Sequence, residues 1–256
     1  MPRLFCYKIN DMRIAVYNSM FSLNGKSFLG NVLGHWAVHC QVNASKLLKR
    51  TDINRTMEII KKSKADVIGI CEILEEQEKE VKEKLRKLGY KYIFFSDGHN
   101  IKCGKLGIRI AIASKLECKA EKSDGFPVID KFAGGGGFVN CYFPKLKMNV
   151  FCAHFSIPRD KALYQKQMAF LQKYVKKTTG KLVLMGDFNK SHKKLKPYFL
   201  GLELASGCHK SCSATPILKT VHFKDDDHIF VRDIKFSKSG CMVGHSDHKL
   251  IYADLI

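Results

Sequence analysis

Leu182-Val183-Leu184-Met185-Gly186-Asp187-Phe188-Asn189 runs four apolar residues straight into a glycine, a carboxylate, an aromatic residue and an amide. A short apolar run bounded by turn residues reads as a buried strand. Downstream, Gly244-His245-Ser246-Asp247-His248 stands just before a second apolar run, Leu250 to Leu255. A carboxylate, an amide and an Asp-His pair therefore sit at the ends of strand-like segments. These side chains suit metal-assisted attack on a phosphate ester. Aspartate binds a hard cation, histidine handles a proton, and asparagine holds a phosphoryl oxygen.

Beyond these blocks, Arg13–Asn18, Ala65–Cys71, Tyr92–Phe95, Ile108–Ala113, Phe138–Phe143, Met148–Ala153, Lys181–Met185, His228–Arg232 and Lys249–Leu255 read as strands. Thr51 or Asp52 can cap a helix carrying Ile53, Met57 and Ile60 on one face. A second helix runs to about Leu88, with Leu74, Val81, Leu85 and Leu88 near one stripe, and Gly89 is a natural stop. Its Glu78-Lys82, Glu80-Lys84 and Glu83-Lys87 pairs have the favoured i,i+4 order. A third helix is expected over Arg159–Lys177, with Leu163, Gln167, Phe170, Leu171 and Tyr174 along one side and Gly180 after it. Gly134-Gly135-Gly136-Gly137 reads as a turn, because a strand follows it and a phosphate-cradling loop needs a helix there. Strands outnumber helices, which predicts an α/β fold of two sheets packed face to face with helices outside. Residues 1–256 read as one domain with a loop-rich excursion at about residues 22–50, which holds His35, Trp36 and His39.

The formal net charge of +20 favours polyanionic partners, nucleic acid first and an anionic membrane second. No run of apolar residues is long enough for a spanning helix, and the N-terminus lacks the pattern of a signal peptide. The ten cysteines are scattered, and Cys71, Cys141 and Cys152 lie inside apolar strands. That placement suits buried thiols in a reducing, cytoplasmic compartment. Cys208 and Cys212 flank His209, but without a second cluster a structural zinc site is not expected; a local disulfide or two loop thiols is.

Asn18, Glu72, His154, Asp187 with Asn189, Asp227, and Asp247-His248 all attach to strand-like runs and are expected at C-terminal strand ends. Each has an ordinary explanation alone; together they form a constellation. In Tyr17-Asn18, Ile70-Cys71-Glu72, Cys152-Ala153-His154-Phe155, Gly186-Asp187-Phe188-Asn189, Asp227-His228-Ile229-Phe230-Val231 and Ser246-Asp247-His248, the chain resembles the endonuclease/exonuclease/phosphatase superfamily, the deoxyribonuclease-like fold. The resemblance runs from about Arg13 to the end. It implies a four-layer α/β sandwich of two mainly antiparallel sheets with the site at one edge. It implies Glu72 as the principal ligand of Mg²⁺ (or Mn²⁺), with Asp247 and Asn18 completing or supporting the site. His248 would be a general base or a phosphate-stabilising imidazolium, with Asp227 orienting it. Asp187 would align or deprotonate water or serve the leaving group, and Asn189 and His154 would hold non-bridging oxygens. Cys71, Tyr17 and His228 stand where many members carry Gln, Trp and Tyr. A histidine at position 154, and no Trp-rich motif near the C-terminus, align the chain with the deoxyribonuclease, sphingomyelinase and tyrosyl-DNA phosphodiesterase branches rather than with abasic-site enzymes.

After Asn189 the chain reads Lys190-Ser191-His192-Lys193-Lys194-Leu195-Lys196, and Lys190, Lys193, Lys194 and Lys196 are expected to track a phosphate backbone. The leading expectation is a Mg²⁺-dependent nuclease or phosphodiesterase acting on DNA or RNA. The rival is a lipid phosphodiesterase or phosphoinositide phosphatase that touches a membrane through Phe28, Leu29, Leu33 and Trp36. A non-catalytic nucleic-acid-binding module fits less well, because the catalytic set is nearly complete. Nothing in the sequence calls for a protein partner.

Overall fold

The computed structural model of the protein describes residues 12–23, 51–97, 102–103, 106–130, 136–158, 160–206, 208, 210–212 and 224–256. The 24–50 portion of the excursion, with its aromatic and histidine residues, lies outside them, as do Gly134, Gly135, Arg159 and His209.

Among the described residues, thirteen strands form two sheets. They are β1 (Met12–Asn18), β2 (Val67–Leu74), β3 (Tyr92–Phe95), β4 (Lys102–Cys103), β5 (Leu106–Ser114), β6 (Lys119–Gly125), β7 (Gly137–Phe143), β8 (Met148–His154), β9 (Lys181–Asp187), β10 (Glu203–Leu204), β11 (Asp227–Arg232), β12 (Phe236–Val243) and β13 (Lys249–Leu255). The first sheet has the order β12-β13-β1-β2-β5-β3, with β4 also on β5; the second has the order β10-β11-β9-β8-β7-β6. Among the described strands, only the central pairs β1–β2 and β8–β9 are parallel. The rest of each ladder is antiparallel, as expected. The described α-helices are α1 (Ile53–Ser63), α2 (Glu78–Lys87), α3 (Lys161–Lys177) and the short α4 (His192–Leu195).

Strand parity builds the layers. Successive side chains alternate across a sheet, and both faces here are covered, so central strands are apolar throughout. Ile14 and Val16, Val67 and Cys71, Val150 and Cys152, Val183 and Met185, and Ile229 and Val231 meet between the sheets. Ala15, Tyr17, Ile68 and Ile70 point the other way and pack with Ile53, Met57 and Ile60 of α1 and with Val81 and Leu85 of α2. Phe151, Leu182, Leu184 and Phe230 cover the far face, against Tyr164, Met168, Leu171 and Val175 of α3. The order is helix, sheet, sheet, helix.

Asp52 is the residue that caps α1, accepting from the Asn54 N–H at 3.1 Å. Glu80 closes on Lys84 at 3.5 Å, while Glu78 turns to Arg109 at 3.4 Å. Gly89 follows α2 with a φ of +92°, the left-handed stop its position promised. Two expectations change. Leu74 belongs to β2 rather than to the second helix. The buried face of α3 is Tyr164, Gln167, Met168, Leu171 and Val175, so Leu163, Phe170 and Tyr174 flank the stripe instead of forming it. Strands β6 and β12 are not legible in the sequence, because they are edge strands whose exposed Lys, Glu and Ser residues carry no apolar alternation.

Cys71, Cys141 and Cys152 are buried thiols in β2, β7 and β8. Cys208 and Cys212 are likewise buried and not joined in a disulfide. Among the described residues, no helix is long and apolar enough to cross a membrane.

Candidate active site

The same parity that makes the core makes the site. On β1, residues 14 and 16 face the gap between the sheets, so residue 18 does too; on β8 the series 150, 152 ends at 154, and on β9 the series 183, 185 ends at 187. Asn18, His154 and Asp187 are therefore the polar ends of inward-facing apolar rows. Asp187 pairs in register with His154 on one side and with Asp227 on the other. Not every residue ends a strand. Asp227 opens β11, and Asp247-His248 precede β13. Those strands run antiparallel to β9 and β1, so their starts meet the other strands' C-terminal ends at one edge.

Glu72 arrives by a different route. Cys71 and Glu72 oppose the single residue Ile110, between the pairs Ile70–Ala111 and Ile73–Arg109. That is a β-bulge, and Glu72 adopts a φ of +57° within it. The extra residue re-aims the carboxylate toward the inner edge. The Ser19 hydroxyl holds the bulge by donating to the backbone carbonyls of Cys71 and Glu72 at 3.1 and 3.0 Å.

Within the site, Asn18 Nδ2 donates to Asp187 Oδ2 at 2.8 Å, and Asn18 Oδ1 accepts from the Met20 N–H at 3.0 Å. Asp187 Oδ1 accepts from the Asn189 N–H at 2.8 Å, and the Asn189 amide donates to the Phe155 carbonyl at 2.8 Å. His154 Nε2 lies 3.4 Å from Glu72 Oε1 and 3.7 Å from Asp187 Oδ2. His248 Nδ1 is 2.8 Å from Asp227 Oδ2, which leaves Nε2 facing the cluster, 3.8 Å from Asp187 Oδ2 and 4.0 Å from Asp247 Oδ1. The structure thus brings together Asn18, Glu72, His154, Asp187, Asn189, Asp227, Asp247 and His248.

Charge follows burial. Glu72 is pushed up to about 8 by burial and then by the neighbouring carboxylates of Asp247 and Asp187. Burial lowers His154 and keeps its imidazole neutral. Burial also presses on His248, but Asp227, Cys212, Asp247 and Asp187 together outweigh it, and its pKa ends well above the ordinary imidazole range. The Asp227 Oδ1 and His154 Nδ1 atoms are buried without a hydrogen-bond partner. Carboxylates crowded this closely, one of them pushed toward its protonated form by burial and its neighbours, fit a hard oxygen-seeking divalent cation.

The lysines divide. Lys193, Lys194 and Lys196 are exposed on and just after α4. Lys190 lays its ammonium over the Tyr164 ring at 4.2 Å and faces the Tyr198 ring at 5.6 Å. His228 Nε2 lies 2.9 Å from the Lys190 carbonyl, tying this turn to β11.

Three supporting residues that the sequence does not assign to the site join it. Ser246 donates to the Asn18 carbonyl at 2.8 Å and accepts from the His248 N–H at 3.1 Å. The Ser211 hydroxyl accepts from the Asp227 N–H at 2.9 Å. Cys212 places its Sγ 3.3 Å from His248 Nε2. Ser246 adjoins the Asp-His pair in sequence, and that adjacency is signal enough to find it. Ser211 carries no sequence signal, and Cys212 stands out only beside Cys208 and His209, so the fold alone brings both to the site.

The profile of the Endonuclease/Exonuclease/phosphatase family matches residues 30–248. Zebrafish (D. rerio) TDP2 humanized by 14 mutations superposes with a TM-score of 0.66 at 14% identity, covering 96% of this chain and 99% of that one. The endonuclease/exonuclease/phosphatase from Bacteroides vulgatus gives 0.65 at 15% identity, with 96% and 99% covered. D. rerio TDP2 complexed with single strand DNA product gives 0.61 at 15% identity, again with 96% and 99% covered. No curated protein matches the sequence. At these identities the likeness establishes the fold, the two-sheet sandwich with helices outside. With a profile match across most of its length, the chain belongs to the endonuclease/exonuclease/phosphatase family.

Proposed function

We propose that the protein is a divalent-metal-dependent phosphodiesterase that hydrolyses nucleic-acid phosphodiester bonds. The observation that carries this reading is the Asp227–His248 pair facing the Asn18–Asp187 pair across one sheet edge, with Nε2 of the imidazole 3.8 Å from the carboxylate. An imidazolium and an anchored carboxylate this close are an acid and a base aimed at the same small volume.

Asp227 acts as a positioning residue, fixing the ring of His248 through Nδ1. His248, held charged by its anionic surroundings, donates from Nε2 to a phosphoryl oxygen as negative charge grows there. Asp187, oriented by Asn18 and the Asn189 N–H, accepts the proton of the attacking water. Neutral His154, beside Glu72 and Asp187, offers a second contact to a non-bridging oxygen. Glu72 and Asp247 would hold Mg²⁺ or Mn²⁺, which supplies neutralisation of charge on the phosphoryl group when bound.

The substrate class rests on charge. A formal net charge of +20 around an acidic centre draws polyanions to the site, and the exposed lysines on α4 begin just after Asn189. The D. rerio TDP2 complex with single strand DNA product, of the same fold, supports nucleic acid over lipid.

The test is hydrolysis of supercoiled plasmid, single-stranded DNA, RNA, a 5′-tyrosyl oligonucleotide, sphingomyelin and a phosphoinositide by the purified protein. Each is run with Mg²⁺, with EDTA, and with Glu72→Ala as control. Cutting of nucleic acid is expected with Mg²⁺ or Mn²⁺, and EDTA and Glu72→Ala are expected to abolish it. Full activity in EDTA removes the metal, and turnover of lipid alone moves the substrate to a membrane surface. Replacing Lys193, Lys194 and Lys196 together by Ser is expected to weaken DNA binding. It should also flatten the log–log salt dependence by about 0.7–0.9 for each phosphate left without its lysine. Fluorescence anisotropy across a salt series measures both, and an unchanged slope would show the lysines to be merely solvated.

A further inference from the structure

Mg²⁺-assisted hydrolysis has no use for sulfur, since hard cations take oxygen ligands. Yet the fold delivers a thiol to the imidazole that the proposed reaction depends on. Cys212 pairs through its backbone with Lys224 on one side and with His248 on the other. This pairing sets the Cys212 side chain beside His248, with Sγ 3.3 Å from Nε2. Asp247 Oδ1 lies 4.0 Å from the same nitrogen. One ligand atom from each of Cys212, Asp247 and His248 falls within 4.8 Å of the others, and all three residues are buried.

Those separations suit one small ion. Zinc takes sulfur at about 2.3 Å and nitrogen at about 2.0 Å, so tetrahedral ligands of these types stand about 3.6 Å apart. The observed sulfur–nitrogen separation is close to that, and a carboxylate oxygen of Asp247 lies within 4.8 Å of both other ligand atoms. A second feature points the same way. Asp227 Oδ2 holds Nδ1 of His248 at 2.8 Å, the carboxylate–histidine arrangement that fixes a metal-binding imidazole with Nε2 as its ligand atom. Three protein ligands of mixed sulfur, nitrogen and oxygen type leave a fourth corner for water or for Asp187 Oδ2, which is 3.8 Å from Nε2.

We propose that Cys212, Asp247 and His248 form a second metal site, selective for a thiophilic divalent cation such as Zn²⁺, whose occupation shuts the phosphodiesterase site. Binding forms a sulfur–metal and a nitrogen–metal bond and releases the thiol proton and the Nε2 proton to solvent, so it tightens as pH rises. It withdraws Nε2 of His248 from the phosphoryl group and Asp247 from the hard-cation site. The two metals then compete: an oxygen-ligated ion with a working imidazole, or a sulfur-ligated ion with a blocked one. Affinities along the first-row series favour Zn²⁺ over the activating ions, so little is needed. The site stands on geometry alone; its inhibitory consequence rests on the proposed role of His248.

Metal-free protein is titrated with Co²⁺, then with Zn²⁺, and read by absorption. A thiolate-to-cobalt charge-transfer band in the near ultraviolet is expected at one equivalent, bleached by Zn²⁺, and absent in Cys212→Ala and Cys212→Ser variants whose circular dichroism matches wild type. In parallel, Mg²⁺-supported hydrolysis is titrated with Zn²⁺, each protein normalised to its own zinc-free rate. Half-inhibition is expected to need at least about 10–100-fold more Zn²⁺ in either variant, since losing even a partner that only supports a metal ligand costs that much. No band in wild type, or an undiminished band in both folded variants, would overturn the site. A Cys212-dependent band in a protein that hydrolyses none of the esters would uphold the site and remove the phosphodiesterase reading instead. A Cys212-dependent band without a shift in half-inhibition would overturn the inhibitory role.

Discussion

Replacing His248 with alanine is expected to lower the single-turnover rate by about 10²–10⁴-fold with little change in substrate affinity, because in the proposed mechanism the imidazole acts on charge that develops only in the transition state. Nε2 is the acidic group aimed at the cluster, 3.8 Å from Asp187 Oδ2, and Nδ1 is committed to Asp227. Removing the ring also strands Asp227, which is 0% exposed and already has one oxygen without a partner. A second, structural consequence follows: urea unfolding should show lost stability, and Asp227, whose pKa burial already raises, should rise further toward its neutral form. Asp227→Asn is expected to cost less than His248→Ala, since the ring survives with weaker orientation. The double variant should be little worse than His248→Ala alone, because both act through one imidazole. Asp187→Asn should also fall by orders of magnitude. A rate within about tenfold of wild type for both His248→Ala and Asp187→Asn would sink the assignment.

Gly186→Ala is expected to be the most damaging change that removes no chemical group. A Cβ built there would stand 1.9 Å from the Ala153 carbonyl oxygen, and the residue's φ is +151°. The obstacle is backbone of the parallel neighbour, Ala153 pairing directly with Gly186, so no side-chain rotation relieves it. The next register pair is His154 with Asp187, so β9 cannot shift away without pulling the site apart. The expected cost is about 4–5 kcal/mol or failure to fold, the range of severe overpacking combined with backbone strain. Gly201→Ala is the control. Its φ of +83° is also left-handed, but no atom lies within 4 Å of where a Cβ would stand, so it should cost only about 1–2 kcal/mol. Equal losses in urea melts of the two variants would show that close strand approach is not what Gly186 permits.

Much of this architecture can be read locally. The apolar runs at residues 13–18, 65–71, 148–153 and 181–185 are β1, β2, β8 and β9, the parallel centres of the two sheets. They are legible because strands buried on both faces carry uninterrupted apolar sequence. The polar residues attached to them are legible too, since an Asp, Asn, His or Glu abutting such a run stands out. The edge strands β6 and β12 are not, because solvent on one side lets Lys, Glu and Ser occupy them as in any loop. The buried face of α3 differs from the stripe its spacing suggests, because aromatic and aliphatic residues surround that helix and only packing chooses among them.

The amino-acid order alone therefore marks the strands buried on both faces and the candidate polar residues attached to them, because an apolar run and the polar residue that abuts it are properties of neighbours along the chain. Only the tertiary structure decides that those side chains meet. Asn18 reaches Asp187 across 169 positions, and Tyr17 anchors Ser246 across 229. Such contacts depend on register between strands distant in sequence, and a shift of one residue would turn each side chain to the opposite face. The bulge that turns Glu72 inward and the backbone pairing that sets Cys212 beside His248 belong to the same class. Both are products of ladder geometry, and neither leaves a trace in composition or period.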